Sequence, residues 1–477
     1  MNDIRLSYLL ALALEDTAEA DLVRVHRDYY SGDHPTYLTD RQKEFLALKN
    51  DYKFRANYCA PVCDIAAERL QVQAFDGGQE EAGEQLAALA WQWWTDNRMD
   101  AGQDDLHVSG IRDGVAFLIV DWDNEEGRPR WTPNYAYDGT RGVKVHYHSD
   151  TDDIIFASKR WHEDDQKIPG QTGKARLTLY FPDVVEKYRA SQRAAGGWEP
   201  VVIEADGREV DWPTPWTDKA GQPLGVAVVP FDNPGGSEIK DALPLQDMLN
   251  KALLDLVAAS DVEGFGILYA SGVSPTIDPA TGAETEMTLG PGRLIKLSNP
   301  QARMGRVSPE DLTRLTAVAD FWIAQIAAIT RTPMHLFQRW EREPPSGESL
   351  KMQETGLISK TKRKQTVYGN SYEDAVALSA RLYNAFSGEA ALEIVPVSVT
   401  WQDAAIRDEK AHQENMESKK RLGVPEAQLW RELGYDQAQV DQFKKEREAG
   451  RDQAIGLMVR QIATAEAEAG NGRPADT

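Results

Sequence analysis

The sequence has only two cysteines, few histidines and no long hydrophobic run. Cys59 and Cys63 lie four residues apart in a chain of 477 residues, which excludes a four-thiolate zinc site and a disulfide framework. Because their segment has helical spacing, we expect two small buried residues on one helix face and a reducing, cytosolic origin. No segment reaches the roughly 18 uninterrupted apolar residues of a membrane span, and the N-terminal residues lack a signal-peptide pattern. We therefore expect a soluble intracellular product without a membrane partner.

Positive charge is also scarce. The chain has 53 lysine and arginine residues against 76 aspartate and glutamate residues, a formal net charge of −23. Proteins that hold nucleic acid tightly place lysine and arginine on the phosphates, so this balance argues against tight, static DNA binding. It remains compatible with a surface along which DNA slides. Tight contacts to phosphates would hinder the sliding, and an acidic surface makes few of them.

The sequence contains no complete catalytic motif. The segment 170–175 resembles a phosphate-binding loop, but it is too short and has Ala175 where a magnesium-binding hydroxyl is needed. His146 and His148 would point to the same side of a strand, although two histidines leave a zinc shell incomplete. We predict no catalytic residue, no metal and no cofactor. The enzymatic alternative, a metal-dependent nucleic-acid hydrolase, depends on these two histidines and the carboxylates near them.

Hydrophobic periodicity predicts an α+β chain that is mainly helical. Four segments of the first 105 residues carry apolar residues at helical spacing, namely Leu6–His26, Asp40–Leu48, Ala56–Leu70 and Glu80–Asn97. An antiparallel sheet should follow, because the next segments are β-rich and separated by turn residues. These segments are Gly114–Asp121, Asp153–Trp161, Arg176–Phe181 and Val201–Ile203.

The region 225–386 has the most informative pattern. A strand at Gly225–Phe231 precedes a helix that ends near Glu263, and a Gly/Pro-rich strand-and-loop module separates this helix from a second one. The second helix should begin at Ser308, an N-cap followed by proline. A proline-bounded loop and a helix of about forty residues to Phe386 complete the region. The first helix has a predicted apolar stripe of Leu245, Met248, Leu249, Ala252, Leu253, Leu256 and Val257.

A strand at Leu392–Trp401 and a charged helical C-terminal region come last. Several short motifs then identify a family. They are Phe231–Ile239, Leu245–Lys251, Thr330–Pro333 and Pro344–Lys351, in that order, with Tyr29–Gly32 and Asn57–Phe75 upstream. In these motifs the chain resembles the portal proteins of tailed double-stranded DNA bacteriophages. The resemblance covers most of the chain and is weakest after Trp401.

The resemblance implies a portal-type fold that assembles as a ring. Twelve copies would surround a DNA channel at one capsid vertex, used for genome packaging, head-tail joining and DNA ejection; a thirteen-fold ring is compatible with the isolated protein. The implied layout is wing 1–236, stem helix 237–263, clip 264–307, stem helix 308–332, tunnel loop 333–345, wing long helix and strand 346–400, and crown with C-terminal tail 401–477. The alternative within the same class is another phage head or tail structural protein.

The resemblance also implies partners and a location. The partners would be double-stranded DNA without sequence specificity, the packaging terminase, the major capsid and scaffolding proteins, and a head-tail adaptor. The protein would belong to the virion, at the capsid vertex, after assembly in the host cytoplasm.

The expected functional residues are basic. If copies stand in a ring, basic residues of the tunnel loop and long helix form a positive band able to contact DNA: Arg339, Arg342, Lys360, Lys362, Arg363 and Lys364. The last four spread over more than one helix face, so an ordinary solvated surface is the alternative. Four basic residues of the clip are expected to dock its partners: Arg293, Lys296, Arg303 and Arg306.

Overall fold

The computed structural model shows an α+β chain of helices and antiparallel strands. It describes residues 18–35, 56–164, 172–191, 197–203, 209, 211–265, 268–271, 276–277, 284–285, 301, 303–306, 313–337, 347–405, 416–433, 439–440 and 442–447. The predicted helix Asp40–Leu48 and the first part of Leu6–His26 lie outside these residues.

The N-terminal part is helical, as predicted. It contains α1 (Ala18–Tyr30), α2 (Cys59–Ala67), β1 (Val72–Asp76), α3 (Glu81–Asp96) and α4 (Met99–Asp113). Sequence reasoning missed α4, because its buried face includes polar and small residues rather than an apolar stripe: Gln103, His107, Ser109 and Gly110. Both cysteines are buried in α2, and burial raises the pKa of Cys59 to about 12.

The strands form two larger sheets rather than the single sheet predicted. Their bounds are β2 (Val115–Asp123), β3 (Arg128–Tyr135), β4 (Gly142–Tyr147), β5 (Ile154–Asp164), β6 (Thr172–Tyr180), β7 (Val184–Ala190), β8 (Trp198–Pro200), β9 (Thr214–Pro215) and β10 (Val228–Asp232). One sheet has the order β10-β2-β3, and the other has β4-β5-β6-β7-β8 with β9 on β7. The predicted strand Val201–Ile203 is wrong, because pairing with β7 involves Trp198–Pro200 instead and Ile203 makes one isolated bridge to Glu209.

Two helices and a long third helix make up the next part. They are α5 (Leu243–Phe265), α6 (Thr313–Ile329) and α7 (Gly347–Phe386); the last has 40 residues, as predicted. Between α5 and α6, β11 (Leu268–Ser271) pairs with β14 (Arg303–Arg306), and β12 (Thr276–Ile277) pairs with β13 (Glu284–Thr285). A 3-10 helix (Met334–Leu336) follows α6, β15 (Ser398–Trp401) pairs with β1, and α8 (Glu426–Leu433) follows in the C-terminal region.

An aromatic core holds α7 against the N-terminal part. Tyr372 of α7 packs edge-on against Trp94 of α3 and Phe231 of β10, with ring centroids 5.3 and 4.7 Å apart. Two hydrogen bonds orient α7 within this core. Trp131 Nε1 donates to the Ser379 hydroxyl, and the Tyr372 hydroxyl lies 3.0 Å from Nε2 of His107. A 40-residue helix spans about 60 Å, so α7 connects distant parts of the chain. The aromatic core holds it against the N-terminal part.

The apolar stripe predicted on α5 is partly wrong. Leu249 and Ala252 are buried, but Met248 is 46% exposed, whereas Asp247 and Asn250, which do not belong to that stripe, are buried. The reason is that this face of α5 contacts polar side chains and main-chain groups of the N-terminal part, which require hydrogen-bonding partners rather than apolar side chains. Among the helices that the structure describes, none is long and apolar enough to cross a bilayer.

Gly110 marks the closest approach of α4 to α7. A Cβ at this position would lie 2.5 Å from the hydroxyl of Tyr368, closer than non-bonded atoms tolerate. We expect Gly110→Ala to destabilise the chain by about 1–3 kcal/mol through overpacking, measured as a lower midpoint of urea unfolding. Tyr368→Phe removes the clashing oxygen, so the double variant should recover part of the loss.

Gly102 of the same helix provides the control. A Cβ there meets the flexible Met99 side chain at 3.2 Å, so Gly102→Ala should be neutral or stabilising, since alanine favours helix by about 1 kcal/mol over glycine. Equal midpoints for Gly110→Ala and the natural chain would contradict the proposed close packing.

Candidate functional site

Five of the six sequence motifs meet at one place, where α5, α6 and α7 join the N-terminal part. Asn233 and Glu238 come from the first motif, and Gln246, Asp247 and Asn250 come from the second. Gln246 contacts Tyr58 and Asp247 contacts Tyr29, both from the upstream motifs. Lys360 of α7 links Glu238 to Thr330. We call this region the junction and define it by Tyr29, His34, Ala56, Tyr58, Asn233, Glu238, Gln246, Asp247, Asn250, Thr330, Lys360 and Lys364.

One half of the junction holds the start of α5 by its polar face. The Gln246 side chain accepts a hydrogen bond from the Tyr58 amide at 2.9 Å and donates one to the Ala56 carbonyl at 2.7 Å. Asn250, one turn later, accepts from the Ala56 amide at 3.0 Å. Its side-chain nitrogen lies 2.8 Å from Nδ1 of His34. Two amide side chains of one helix thus satisfy both main-chain groups of Ala56, which lies 190 residues or more away in sequence.

Tyr29 completes this half. Its hydroxyl donates to the Asp247 carboxylate, with oxygen–oxygen distances of 2.8 and 2.9 Å, and its ring stacks on His34. Both Tyr29 and Asp247 are buried. Because leaving a buried polar group unsatisfied costs about 1–3 kcal/mol, these contacts fix the direction of α5 as well as its position.

The other half of the junction is built on the turn 232–238. Gly235 and Gly236 have φ of 97° and 81°, a left-handed conformation that glycine adopts without steric cost. The turn is held by main-chain bonds from Asn233 N–H to Gly114 O at 2.9 Å and from Glu238 N–H to Ile111 O at 3.0 Å. This geometry places the Glu238 carboxylate against α7.

Glu238 binds two lysines of α7. Lys360 donates to it at 3.1 Å and also to the carbonyl of Thr330, just beyond the end of α6, at 2.7 Å. Lys364 donates to Glu238 and to the side-chain oxygen of Asn233. The Lys360 and Lys364 side chains are only 9% and 2% exposed, so the cluster joins the turn, α6 and α7 inside the protein.

The charges of this cluster are unequal. Burial opposes ionisation of Glu238, but the two nearby ammonium groups outweigh it, and the pKa of Glu238 is lowered. Burial also lowers the pKa of Lys364, against the opposing attraction of Glu238. One carboxylate therefore faces two ammonium groups, which favour its ionised form, and it in turn favours the charged form of Lys364.

The predicted basic residues are thus divided. Lys362 and Arg363 are exposed on α7, whereas the ammonium groups of Lys360 and Lys364 face inward onto Glu238. Residues four apart share one helix face, so their spacing groups Lys360 with Lys364. Their partner Glu238 could not be found in this way, because it lies over 120 residues upstream. Arg303 is exposed on β14, and the main chain of Arg306 lies on the same strand. Arg293, Lys296, Arg339 and Arg342 lie outside the described residues.

The histidines of the enzymatic alternative do not lie side by side on a strand. A bulge interrupts β4 between His146 and Tyr147, and His148 lies beyond the strand. The ring of His146 stacks on Phe156 with centroids 4.2 Å apart, and burial lowers its pKa to about 4. Within the described ranges, no group of three or more histidine, cysteine, aspartate and glutamate side chains is placed to hold a metal ion.

α6 has an exposed apolar face. Val318, Phe321 and Ile329 are 44%, 52% and 49% exposed, and their spacing places them together on one side of the helix, next to the buried side that carries Ile323 and Ile326. Beside the end of this face, an open groove of about 420 Å³ lies between α6 and the start of α7. A helix that already buries one apolar side and exposes apolar side chains beside it needs a second partner to cover the exposed ones.

Comparison with known proteins identifies the family. Residues 14–453 match the family described as phage portal protein, SPP1 Gp6-like. The portal protein of Mycobacterium phage D29 is 24% identical over 414 residues, which cover 83% of this chain and 79% of the relative. The portal protein of Mycobacterium phage L5 is 23% identical over 355 residues, covering 71% and 67%. The match, which includes every motif at the junction, shows that this chain belongs to the SPP1 Gp6-like family of phage portal proteins, components of the virion.

Proposed function

We propose that copies of this portal protein form a closed ring whose central channel passes double-stranded DNA at one capsid vertex. The ring would serve genome packaging, head-tail joining and DNA ejection. The observation that carries the ring is the exposed apolar face of α6, formed by Val318, Phe321 and Ile329. Head-to-tail contacts between identical subunits close into a ring when the rotation between neighbours fits, and this face provides one side of such a contact.

The proposed layout follows the order of elements. The wing would comprise 1–236 and 346–400, the stem helices 237–263 and 308–332, the clip 264–307, the tunnel loop 333–345 and the crown 401–477. Three features support it: α5 and α6 pack on each other, short strand pairs lie between them, and the junction holds both helices to the N-terminal part. Twelve copies are the proposed number in the virion.

The channel would contact DNA weakly. Lys362 and Arg363 are exposed on α7 and are proposed, with Arg339 and Arg342 of the loop, to contact phosphates around the ring. Contacts of this kind guide the duplex without reading its sequence. In the clip, Arg293, Lys296, Arg303 and Arg306 are proposed to dock the packaging terminase and later the head-tail adaptor, whereas the major capsid and scaffolding proteins would contact the ring during assembly in the host cytoplasm.

We propose a structural role rather than an enzymatic one. Lys174, the lysine of the segment resembling a phosphate loop, lies on β6 and donates to the carbonyl of Ser191 at 2.9 Å. It is therefore part of a strand rather than of a loop that opens a helix, as nucleotide binding by such a motif requires. The force for packaging would come from a separate ATPase.

The loop arginines provide the test of DNA contact. Arg339→Ala combined with Arg342→Ala should leave ring assembly intact and reduce the DNase-protected DNA in assembled heads, because each copy loses two phosphate contacts. Ring formation by electron microscopy and protected DNA per head are the measurements. Normal packaging and retention would remove these arginines from the mechanism, and failure to form rings would make the loop a structural element instead.

A further inference from the structure

The segment that leads from α6 into the tunnel loop is held by α7. We propose that Lys360 and Glu354 are positioning residues that fix the main chain of Thr330–Phe337, the beginning of the loop, relative to the rest of the subunit. The relevance of this segment to DNA rests on the function proposed above. The positioning itself is argued only from contacts within one chain.

Lys360 acts on the end of α6. The helix ends with Arg331 in the left-handed conformation at φ 52°, and the Thr332 amide donates back to the Ala327 carbonyl at 2.9 Å. This arrangement leaves the Thr330 carbonyl free to accept the Lys360 ammonium at 2.7 Å. A cation at a helix C-terminus also interacts favourably with the helix dipole. Glu238 binds the same ammonium, so the end of α6 is tied to the junction.

Glu354 acts on the next residues. Its side chain is only 2% exposed and lies 3.3 Å from Nε2 of His335, in the 3-10 helix. The two terminal guanidinium nitrogens of Arg69, Nη1 and Nη2, each donate to one oxygen of Glu354 at 3.3 Å. Arg69 also donates to the carbonyl of Ala404 at 2.7 Å, which lies where the chain leaves β15 for the C-terminal region. One buried carboxylate thus connects the beginning of the loop, the end of α2 and the start of that region.

A third contact limits movement at the far end of the segment. Phe337 packs edge-on against Tyr58, with ring centroids 5.6 Å apart, and Tyr58 belongs to the junction. The segment is therefore held at Thr330 by Lys360, at His335 by Glu354 and at Phe337 by Tyr58. Buried charged contacts of this kind fix geometry because each partner left alone would be desolvated without compensation.

Spin labelling tests the positioning. Leu336 is 37% exposed within the segment, and Met352 is 77% exposed on α7 close to Glu354. Each can be replaced by cysteine and labelled selectively, because Cys59 and Cys63 are buried. In assembled rings of the full chain, Lys360→Met and Glu354→Gln should each raise the ratio of mobile to immobile label at position 336 by about fivefold, the effect of losing one charged contact. The label at 352 should be unchanged.

Matched variants separate positioning from general destabilisation. Lys360→Arg keeps the cation and should retain the immobile spectrum, and Lys362→Met removes an exposed lysine of the same helix and should leave the spectra at 336 and 352 unchanged. An unchanged spectrum at 336 in Lys360→Met and Glu354→Gln would overturn the proposal, as would equal changes at 336 and 352. If the label at 336 is released but the heads retain DNA normally, the positioning is supported and the DNA-contact role of the loop is contradicted.

Discussion

Glu238→Ala is expected to destabilise the subunit by about 3–5 kcal/mol, because it leaves two buried ammonium groups facing each other without a carboxylate. Lys360 and Lys364 are only 9% and 2% exposed, so both ammonium groups would lose a buried counter-ion. Both lysines also hold other groups, the Thr330 carbonyl and Asn233, which would be displaced together. The measurement is the midpoint of urea unfolding followed by intrinsic tryptophan fluorescence.

Asp241→Ala is the matched control for this variant. Asp241 is an exposed carboxylate three residues further along the chain, and its removal should change stability by less than about 0.5 kcal/mol. If Glu238→Ala and Asp241→Ala have the same midpoint, the Glu238 cluster does not stabilise the junction.

The same cluster sets a pH dependence. Because the two lysines lower the pKa of Glu238 in the folded chain, its contribution is fully present above the ordinary glutamate pKa, about 4.3, and is lost as the pH falls through the lower folded value. The stability difference between the natural chain and Glu238→Gln should therefore shrink on acidification below about pH 4.3.

Phe321→Asp is expected to abolish ring formation while leaving the subunit folded. Phe321 is 52% exposed in the single chain, so the substitution should change subunit stability by roughly 1 kcal/mol or less. In a ring, however, the same position would place an unpaired carboxylate in an apolar contact at every subunit boundary, and burying such a charge costs several kcal/mol each time. Size-exclusion chromatography with light scattering measures the result as a shift from ring to monomer.

Val202→Asp serves as the control for ring assembly. Val202 is 51% exposed but lies outside the helix pair, so this variant carries the same new charge at a similarly exposed apolar position. It should still form rings. Rings of normal size from Phe321→Asp would show that the exposed face of α6 is not a subunit contact.

The sequence predicted the elements whose signals are local. The long helix α7 follows from an uninterrupted helical pattern between proline-bounded and glycine-bounded ends, and α2 and α3 follow from their apolar spacing. The same reasoning missed α4, whose buried face is made of groups such as His107 and Gly110 that contact α7. Their role depends on a partner more than 250 residues away in sequence, which local patterns do not contain.

The candidate site shows the same division. Five of the six motifs that carry the resemblance to portal proteins contribute residues to the junction, yet the contacts of their polar side chains could not be predicted from spacing. Asp247 and Asn250 lie outside the predicted apolar stripe of α5, and they are buried on Tyr29 and His34. Lys360 and Lys364 looked like surface charge and pair with Glu238. In both cases the deciding partner is far away in sequence, and only the fold brings it close.

The most direct test of ring assembly is the mass and shape of the purified full chain at micromolar concentration. Twelve copies of 53.2 kDa give about 640 kDa in a closed cyclic assembly. Native mass spectrometry should find that mass, or that of a thirteen-fold ring, and negative-stain images should show a ring with a central channel. A monomer or dimer at the same concentration would contradict the account.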